Sequence, residues 1–328
     1  MSDQMQNAVR VHRYGGPEVL RLERVPVPKP GEGEVLVRVQ AAAVLPTDWR
    51  MRQGIFQHIR PHVLPYIPGS AFAGIVESAG KCAVEFKPGD AVFGRSWNGV
   101  YAEYTTVPAD RLAQKPAGLS FAAAAAIPGG AAAAWTALPA FGGVEAGMKV
   151  LVHGAAGGVG MFAVQLARRM GAKVVGTCSA SNVDFVRSLG AEQVIDYMSA
   201  AFEQELSGVD LVLDTVGGRV QERSLTVLKP GGALVSLVGL PFAELAEEMG
   251  VRTRFNSQLA DPDIMQDIAE LLADGSLQAC TSRSFPLAEA RQAHELGESG
   301  HGRGRIILYP AEGQDRENFV PNRQNMVQ

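Results

Sequence analysis

The second half of the chain alternates short β-branched runs with stretches of helical spacing. Val150-Leu-Val152 reads as a strand that ends in Gly154-Ala-Ala-Gly-Gly-Val-Gly160, a turn with four glycines in seven residues. Val159, Ala163, Leu166 and Met170 follow at spacings of four, three and four, which is one face of a helix. Arg168 and Arg169 suit its last turn and Gly171 its C-cap. Further strands are predicted at Lys173–Thr177, Gln193–Tyr197, Val209–Asp214 and Ala233–Val238, with helical patterns between them. Strands separated by helices predict a parallel sheet covered on both faces. Residues 263–274 and 287–298 read as helices, and Arg305–Tyr309 as a terminal strand.

The first half has another texture. Val35–Val39, Gly74–Ser78 and Asp90–Gly94 are short strands bounded by glycine and proline, so residues 1–120 predict a β-rich unit. Alanine runs at 121–126 and 131–134 flank Ile127-Pro-Gly-Gly130, which reads as helix, break and helix connecting the two units. After Pro310 the chain turns polar and predicts a loosely ordered tail over 311–328.

Composition narrows the function. The chain has 328 residues, 46% of them hydrophobic, enough for about two domains. A net charge of −4 without a basic stripe argues against nucleic acid. The absence of an apolar stretch of about 20 residues argues against a membrane span. Three scattered cysteines, and an N-terminus without a basic segment followed by an apolar one, fit a cytoplasmic chain.

The glycine turn carries the chemistry. Set against the dinucleotide fingerprint G-x-G-x-x-G, its positions are Ala155, Gly157 and Gly160, with Gly158 and Val159 between the last two. A helix N-terminus behind such a turn offers free N–H groups and a positive dipole end to a pyrophosphate. NAD readers place a carboxylate about 20 residues further on. Here the segment is Gly176-Thr-Cys-Ser-Ala-Ser-Asn182, with Ser179, Ser181 and Asn182 as its polar groups and no acid to repel a 2′-phosphate. This favours NADPH. Ser181-x-x-Asp184 also fits a capping box for the next helix.

The motifs Tyr14-Gly-Gly-Pro-Glu-Val-Leu20, Phe86-Lys-Pro-Gly-Asp-Ala-Val-Phe-Gly94, Tyr101-Ala-Glu-Tyr104, Ser188-Leu-Gly-Ala191, Asp214-Thr-Val-Gly-Gly218 and Leu228-Lys-Pro-Gly-Gly232 accompany the turn. Together they resemble the zinc-free quinone oxidoreductase (ζ-crystallin-like) branch of the medium-chain dehydrogenase/reductase superfamily. The resemblance implies an α/β fold. A GroES-like β-rich catalytic domain would comprise residues 1–124 and 267–310. A doubly wound Rossmann domain would be inserted at 125–266. The cofactor would lie in the cleft between them. It implies NADPH-dependent reduction of a quinone or an activated C=C bond, and a homodimer pairing Rossmann sheet edges near 233–256.

Residue by residue, the resemblance places Leu45, Ser70 and Gly129 where zinc-dependent relatives carry thiolate or imidazole ligands, and none of the three can bind zinc. Tyr197 matches a tyrosine that packs on the 2′-phosphate, while Ala180 stands where a lysine or arginine is usual. Val216, Leu237, Val238 and Gly239 match cofactor loops at strand ends. Arg305 is either a cation near the cofactor or an exposed charge at a strand edge. In the pocket, Leu45-Pro-Thr-Asp48-Trp-Arg50 keeps the family aspartate as Asp48 but replaces asparagine by Leu45 and tyrosine by Arg50. Ala71 and Ala133 also replace polar residues, which predicts a bulkier, more apolar substrate beside walls drawn from Phe56, Tyr66, Trp97 and Trp135. The proton donor is water or Tyr66. Arg50 and Arg52 orient an oxygen or are solvated charges. A repurposed fold that binds NADP(H) without turnover, or a redox-neutral cyclase or isomerase, is the alternative.

Overall fold

The computed structural model describes residues 4–59, 61–139, 143–300 and 302–310. The tail expected over 311–328 lies outside the described residues. The chain begins with a two-stranded antiparallel sheet, β1 (Met5–Val11) and β2 (Leu20–Pro26). Then come β3 (Glu34–Val44), helix α1 (Pro46–Arg52), β4 (Ala71–Ala79), β5 (Ala91–Arg95), β6 (Tyr104–Pro108) and β7 (Leu112–Gln114). Helices α2 (Phe121–Ala126) and α3 (Ala132–Ala137) lead into β8 (Lys149–Val152), α4 (Gly160–Arg169), β9 (Lys173–Cys178), α5 (Val183–Ser188) and β10 (Gln193–Asp196). The second wing continues with α6 (Phe202–Glu205), β11 (Val209–Asp214), α7 (Arg219–Leu225), β12 (Leu228–Ser236), α8 (Ala243–Glu248) and β13 (Arg252–Phe255). Last come α9 (Pro262–Ala273), β14 (Thr281–Pro286), α10 (Ala290–Glu298) and β15 (Arg305–Tyr309).

The central strands form a six-stranded, all-parallel sheet in the order β10-β9-β8-β11-β12-β13. The chain leaves β8 toward one edge and returns to β11 beside it, so the topology switches direction between these two strands. Ligands of open α/β sheets bind at the C-terminal strand ends at such a switch. The other strands form a seven-stranded sheet, β14-β15-β3-β4-β5-β7, with β6 also paired to β3. Its last members come from the C-terminal end of the chain, so β3 pairs with β15 across more than 250 residues of sequence. This is the expected α/β architecture of a Rossmann-type sheet beside a β-rich unit.

The region between the alanine runs differs from the expectation. Ile127–Ala131 continues the helix as a single π turn rather than breaking it, so α2 and α3 run on without an exit. Burial explains why the proline and glycines are tolerated. Ile127, Pro128, Gly130 and Ala131 are buried, and Ile127 and Ala131 share a cluster with Ala41, Ala43, Ala71 and Ala73 of the seven-stranded sheet and Val150 and Val152 of the other. Small side chains let both sheets approach this helix closely, and helices often carry π turns beside functional sites. The capping box read at Ser181 does not form. A 3-10 turn occupies Ala180–Asn182, and the Ser181 hydroxyl lies 3.3 Å from that of Ser179 instead of capping α5.

Candidate active site

The two sheets face each other across a cleft of about 980 Å³. One wall is made by the C-terminal ends of the parallel strands: Gly154, Ala156, Gly157, Gly158 and Val159 after β8, Ser179 and Asn182 after β9, Tyr197 after β10, Thr215 and Val216 after β11, and Leu237 and Val238 after β12. The other wall comes from Leu45, Thr47, Trp49 and Arg50 at α1, Arg95 and Trp97 after β5, the π turn, and Gly300, Gly302 and Arg305.

The glycine turn is shaped by contacts that admit no side chain. Gly154 has φ +65°, and a Cβ there would stand 2.6 Å from Thr215 Oγ1. At Gly160 a Cβ would fall 2.1 Å from the Gly154 carbonyl oxygen, so the fingerprint glycine that packs helix against strand is obligatory. Ala155, where the fingerprint has its first glycine, is fully buried, and Gly176 of β9 makes room for its methyl group; a Cβ at 176 would be 2.8 Å away. At Gly157 an added Cβ would meet only the Gly154 carbonyl, at 3.2 Å, so this glycine keeps open space above the turn. The amides of Val159 and Gly160 have no hydrogen-bond partner among the described residues, which leaves donors at the start of α4 for an anion.

Asp214 organises the neighbouring loops. Its fully buried carboxylate accepts hydrogen bonds from the Val216 and Gly217 amides at 2.9 and 2.8 Å, from Gln221 Nε2 at 2.9 Å and from the Ser236 hydroxyl at 2.9 Å. Ser236 Oγ in turn accepts from the Val238 amide, and Gln221 also donates to the Gly239 carbonyl. One carboxylate therefore ties together the loops carrying Val216, Leu237, Val238 and Gly239. Its motif is plain in sequence, but this role depends on burial that only the fold supplies.

Arg305 is buried, not an exposed strand-edge charge. Its guanidinium donates to the Gly129 carbonyl at 3.1 Å and the Val44 carbonyl at 3.4 Å, while Nε has no partner among the described residues. Gly158 and Gly130 let it pass, since a Cβ at 158 would lie 2.4 Å from Arg305 Cζ and one at 130 would lie 3.0 Å from Nη2. Burial lowers its pKa to about 10.

The residues predicted for catalysis separate. Arg50 lines the cleft. Asp48 is buried behind it, where its carboxylate accepts from the Leu45 amide at 2.9 Å and the Tyr101 hydroxyl at 3.1 Å. Burial raises its pKa to about 6. Tyr66 does not reach the cleft; it lines a smaller cavity of about 360 Å³ with His62, Pro65 and Asn98, and Trp97 borders both spaces. Arg52 is no solvated charge either: it is fully buried and paired with Glu298. Ala71 is buried in β4 and does not line the cleft, whereas Ala133, Phe56 and Trp97 do; Trp135 packs on the core instead. Sequence reasoning missed Arg95 and Asn256, which line the cleft from the ends of β5 and β13. Nothing local marks either residue, because each gains its place from strand pairing.

Leu45 and Gly129, which the resemblance matched to zinc-ligand positions, are in apolar contact. A Cβ at Gly129 would lie 2.5 Å from Leu45 Cδ2, so the leucine side chain fills that space. Neither residue offers a donor, and no group of three metal-ligating side chains occurs among the described residues. Zinc does not fit here.

Residues 31–117 match the alcohol dehydrogenase GroES-like domain, and residues 189–308 match the domain described as zinc-binding dehydrogenase. Human quinone oxidoreductase is 34% identical, over 93% of this chain and 98% of its own. The chain belongs to the quinone oxidoreductase family of medium-chain dehydrogenases/reductases. Another relative, the Arabidopsis thaliana NADPH-dependent alkenal/one oxidoreductase of chloroplasts, is 33% identical over 90% of this chain and 78% of its own. The solved quinone oxidoreductase of Coxiella burnetii superposes with a TM-score of 0.89 at 33% identity, covering 94% of this chain and all of that one.

Proposed function

We propose that this chain is a zinc-independent oxidoreductase that uses NADPH to reduce a quinone or an α,β-unsaturated carbonyl compound. The observation that carries this reading is the continuous cleft joining the glycine turn to an apolar mouth. The mouth is formed by Met51, Ile55 and Phe56 on one side and Phe255, Leu259 and Ala260 on the other. Quinone and alkenal/one reduction are activities named for two relatives, and both substrates combine an apolar body with a carbonyl oxygen.

When bound, NADPH supplies the hydride. The Val159 and Gly160 amides hold the pyrophosphate, and the Asp214-ordered loops support the ribose and nicotinamide. Leu45 and the π turn press on the substrate from the opposite wall. Hydride delivery to the β-carbon of an enone would move negative charge to the carbonyl oxygen, and Arg50, Arg95 and Arg305 are the cations lining the cleft that would meet it. A proton must then reach the α-carbon, or the oxygen for a quinone. Among the described residues no carboxylate or imidazole lines the cleft, so water admitted through the mouth is the donor. Two finer elements belong to the same proposal. Two copies pair through β13, the edge strand of the parallel sheet, and the free thiols Cys82, Cys178 and Cys280 suit a reducing cytoplasm. Light scattering at micromolar concentration tests the pairing, with a monomer mass counting against it.

The decisive experiment follows NADPH consumption with a panel of enones and quinones after exhaustive chelation. Turnover of a long-chain enone that survives chelation supports the proposal. NADPH binding without consumption across the panel would replace it with a redox-neutral or binding role.

A further inference from the structure

The segment leading into β15 crosses from one sheet to the other and brings an arginine with it. The Gly304 amide donates to the Ala156 carbonyl at 2.7 Å, and Gly157 and Gly304 form a parallel bridge. This locks the terminal segment against the glycine turn. Gly304 has φ +65°, and a Cβ there would fall 2.0 Å from the Cys280 carbonyl, so the approach has no slack for a side chain. One residue earlier, Arg303 reaches along the end of β9. Its Nε donates to Asn182 Oδ1 at 3.0 Å, its Nη2 donates to the Ser181 carbonyl at 3.1 Å, and its guanidinium lies 4.6 Å from the centre of the Phe185 ring.

We infer that Arg303 selects NADPH over NADH by meeting the 2′-phosphate of the adenosine ribose at the end of β9. The inference rests on the cofactor reading proposed above. The β9 end carries no cation of its own, with Ala180 between Ser179 and Ser181. Arg303 supplies one from a segment more than 100 residues away in sequence. Its contacts at the site are to a neutral amide and a carbonyl, and no carboxylate pairs with it among the described residues, so its charge is available to an anion. The neighbouring acids are turned elsewhere: Asp196 accepts from the Met198 amide at 3.1 Å, and Asp184 pairs with Arg187 at 3.5 Å. Ser179 and Tyr197, which line the cleft at the ends of β9 and β10, add hydroxyl groups. Stacking on Phe185 and two fixed hydrogen bonds hold the guanidinium plane, and planar forks suit phosphate recognition.

A purely structural role would be to tie the terminal segment to the parallel sheet. The two roles separate in binding measurements. Isothermal titration of the full chain with NADPH, NADH and 2′,5′-ADP is compared with that of Arg303→Ala and Arg303→Lys. The expected result is a loss of about 10- to 100-fold in NADPH and 2′,5′-ADP affinity for Arg303→Ala, with NADH changed less than about 2-fold and partial recovery in Arg303→Lys. The NADPH preference of the unaltered chain also falls with salt, since the arginine is exposed. Equal losses for NADPH and NADH would mean a structural tie and overturn the inference, as would an unchanged NADPH affinity. If the unaltered chain binds neither dinucleotide, the proposed function fails together with it; if it prefers NADPH but Arg303→Ala does not alter that preference, Arg303 alone is wrong.

Discussion

The dinucleotide end of the cleft and its mouth are built from different materials. At the dinucleotide end, each loop follows directly from a parallel strand, and backbone amides and glycines do the shaping: Gly154 to Gly160, Thr215 to Gly217, Leu237 to Gly239. At the mouth, side chains from α1, β5, the π turn, β13 and the approach to β15 meet although they are far apart in sequence. A backbone-built site tolerates most side-chain changes but almost none at its glycines or at the buried group that holds the loops. A side-chain-built site can change its specificity one residue at a time without losing the fold. Leu45 and Arg50 belong to the side-chain-built part and the glycine turn to the backbone-built part.

The comparison is broken most severely at Asp214. Asp214→Ala leaves two amides, an amide side chain and a hydroxyl without their buried acceptor, and should destabilise the protein by about 3–5 kcal/mol in chemical denaturation. An equally conservative truncation at the mouth should cost far less. If Asp214→Ala unfolds with an unchanged midpoint, the loops are held by something else.

Gly157→Val comes next. A Cβ there meets only the Gly154 carbonyl, at 3.2 Å, so the chain should fold with an unchanged circular dichroism spectrum. A side chain above the turn blocks the pyrophosphate, and affinity for NADPH and NADH alike should fall at least about 100-fold, or about 3 kcal/mol. Normal binding by titration calorimetry would remove the pyrophosphate from this turn.

The buried histidines and the buried aspartate should also respond to pH with opposite signs. His153, buried at the end of β8 between the Thr177 and Ser224 hydroxyls, has its pKa lowered by burial from 6.5 to about 4. The unfolded chain binds the extra proton in that window, so this group contributes stability above pH 6.5 that is lost as pH falls toward 4. His294, buried beside Tyr101, adds the same sign down to about 3. Asp48 is raised from 3.8 to about 6, so the folded chain binds the extra proton, and stability falls as pH rises from 3.8 to 6. The His153 and Asp48 shifts each correspond to about 3 kcal/mol at full titration. Thermal unfolding across pH should therefore show a weaker rising component in His153→Gln, with that of His294 remaining, and lose its falling component in Asp48→Asn. Identical profiles for Asp48→Asn and the unaltered chain would show that Asp48 is not held in this burial.

The smallest effect belongs to the mouth. Phe56→Ala removes an apolar wall and should raise KM for a long-chain enone about 10-fold, or about 1.4 kcal/mol, with NADPH affinity unchanged. A change in cofactor affinity instead would mean that the two ends are not separable.

Strand–turn–helix alternation was legible from residue 149 onward because each signal there is local: a β-branched run, a glycine turn and a helical spacing lie within about 20 residues of one another. The same locality explains why Gly157 and Gly160 could be named from a local pattern and found lining or shaping one cleft. Ile127-Pro-Gly-Gly130 misled for the converse reason. Proline and glycine argue for a break when only neighbours are considered, and close packing between two sheets turned that break into a π turn. Ala71 was drawn toward the pocket by motif position, and pairing with β3 buries it in β4; Tyr66, expected as a proton donor, lines the smaller cavity instead.

By itself, the sequence determined the parallel sheet, the glycine turn between strand and helix, and the absence of an acid at the β9 end. Those follow from residue identity and short-range geometry. Only the tertiary structure decided that Asp48 is buried rather than presented to substrate, that Arg95 and Asn256 face the cleft, and that Arg303 reaches the β9 end, where Ala180 brings no charge. Each of these depends on burial or on the pairing of β5 with β4, β13 with β12 and β15 with β3, contacts that no local pattern encodes.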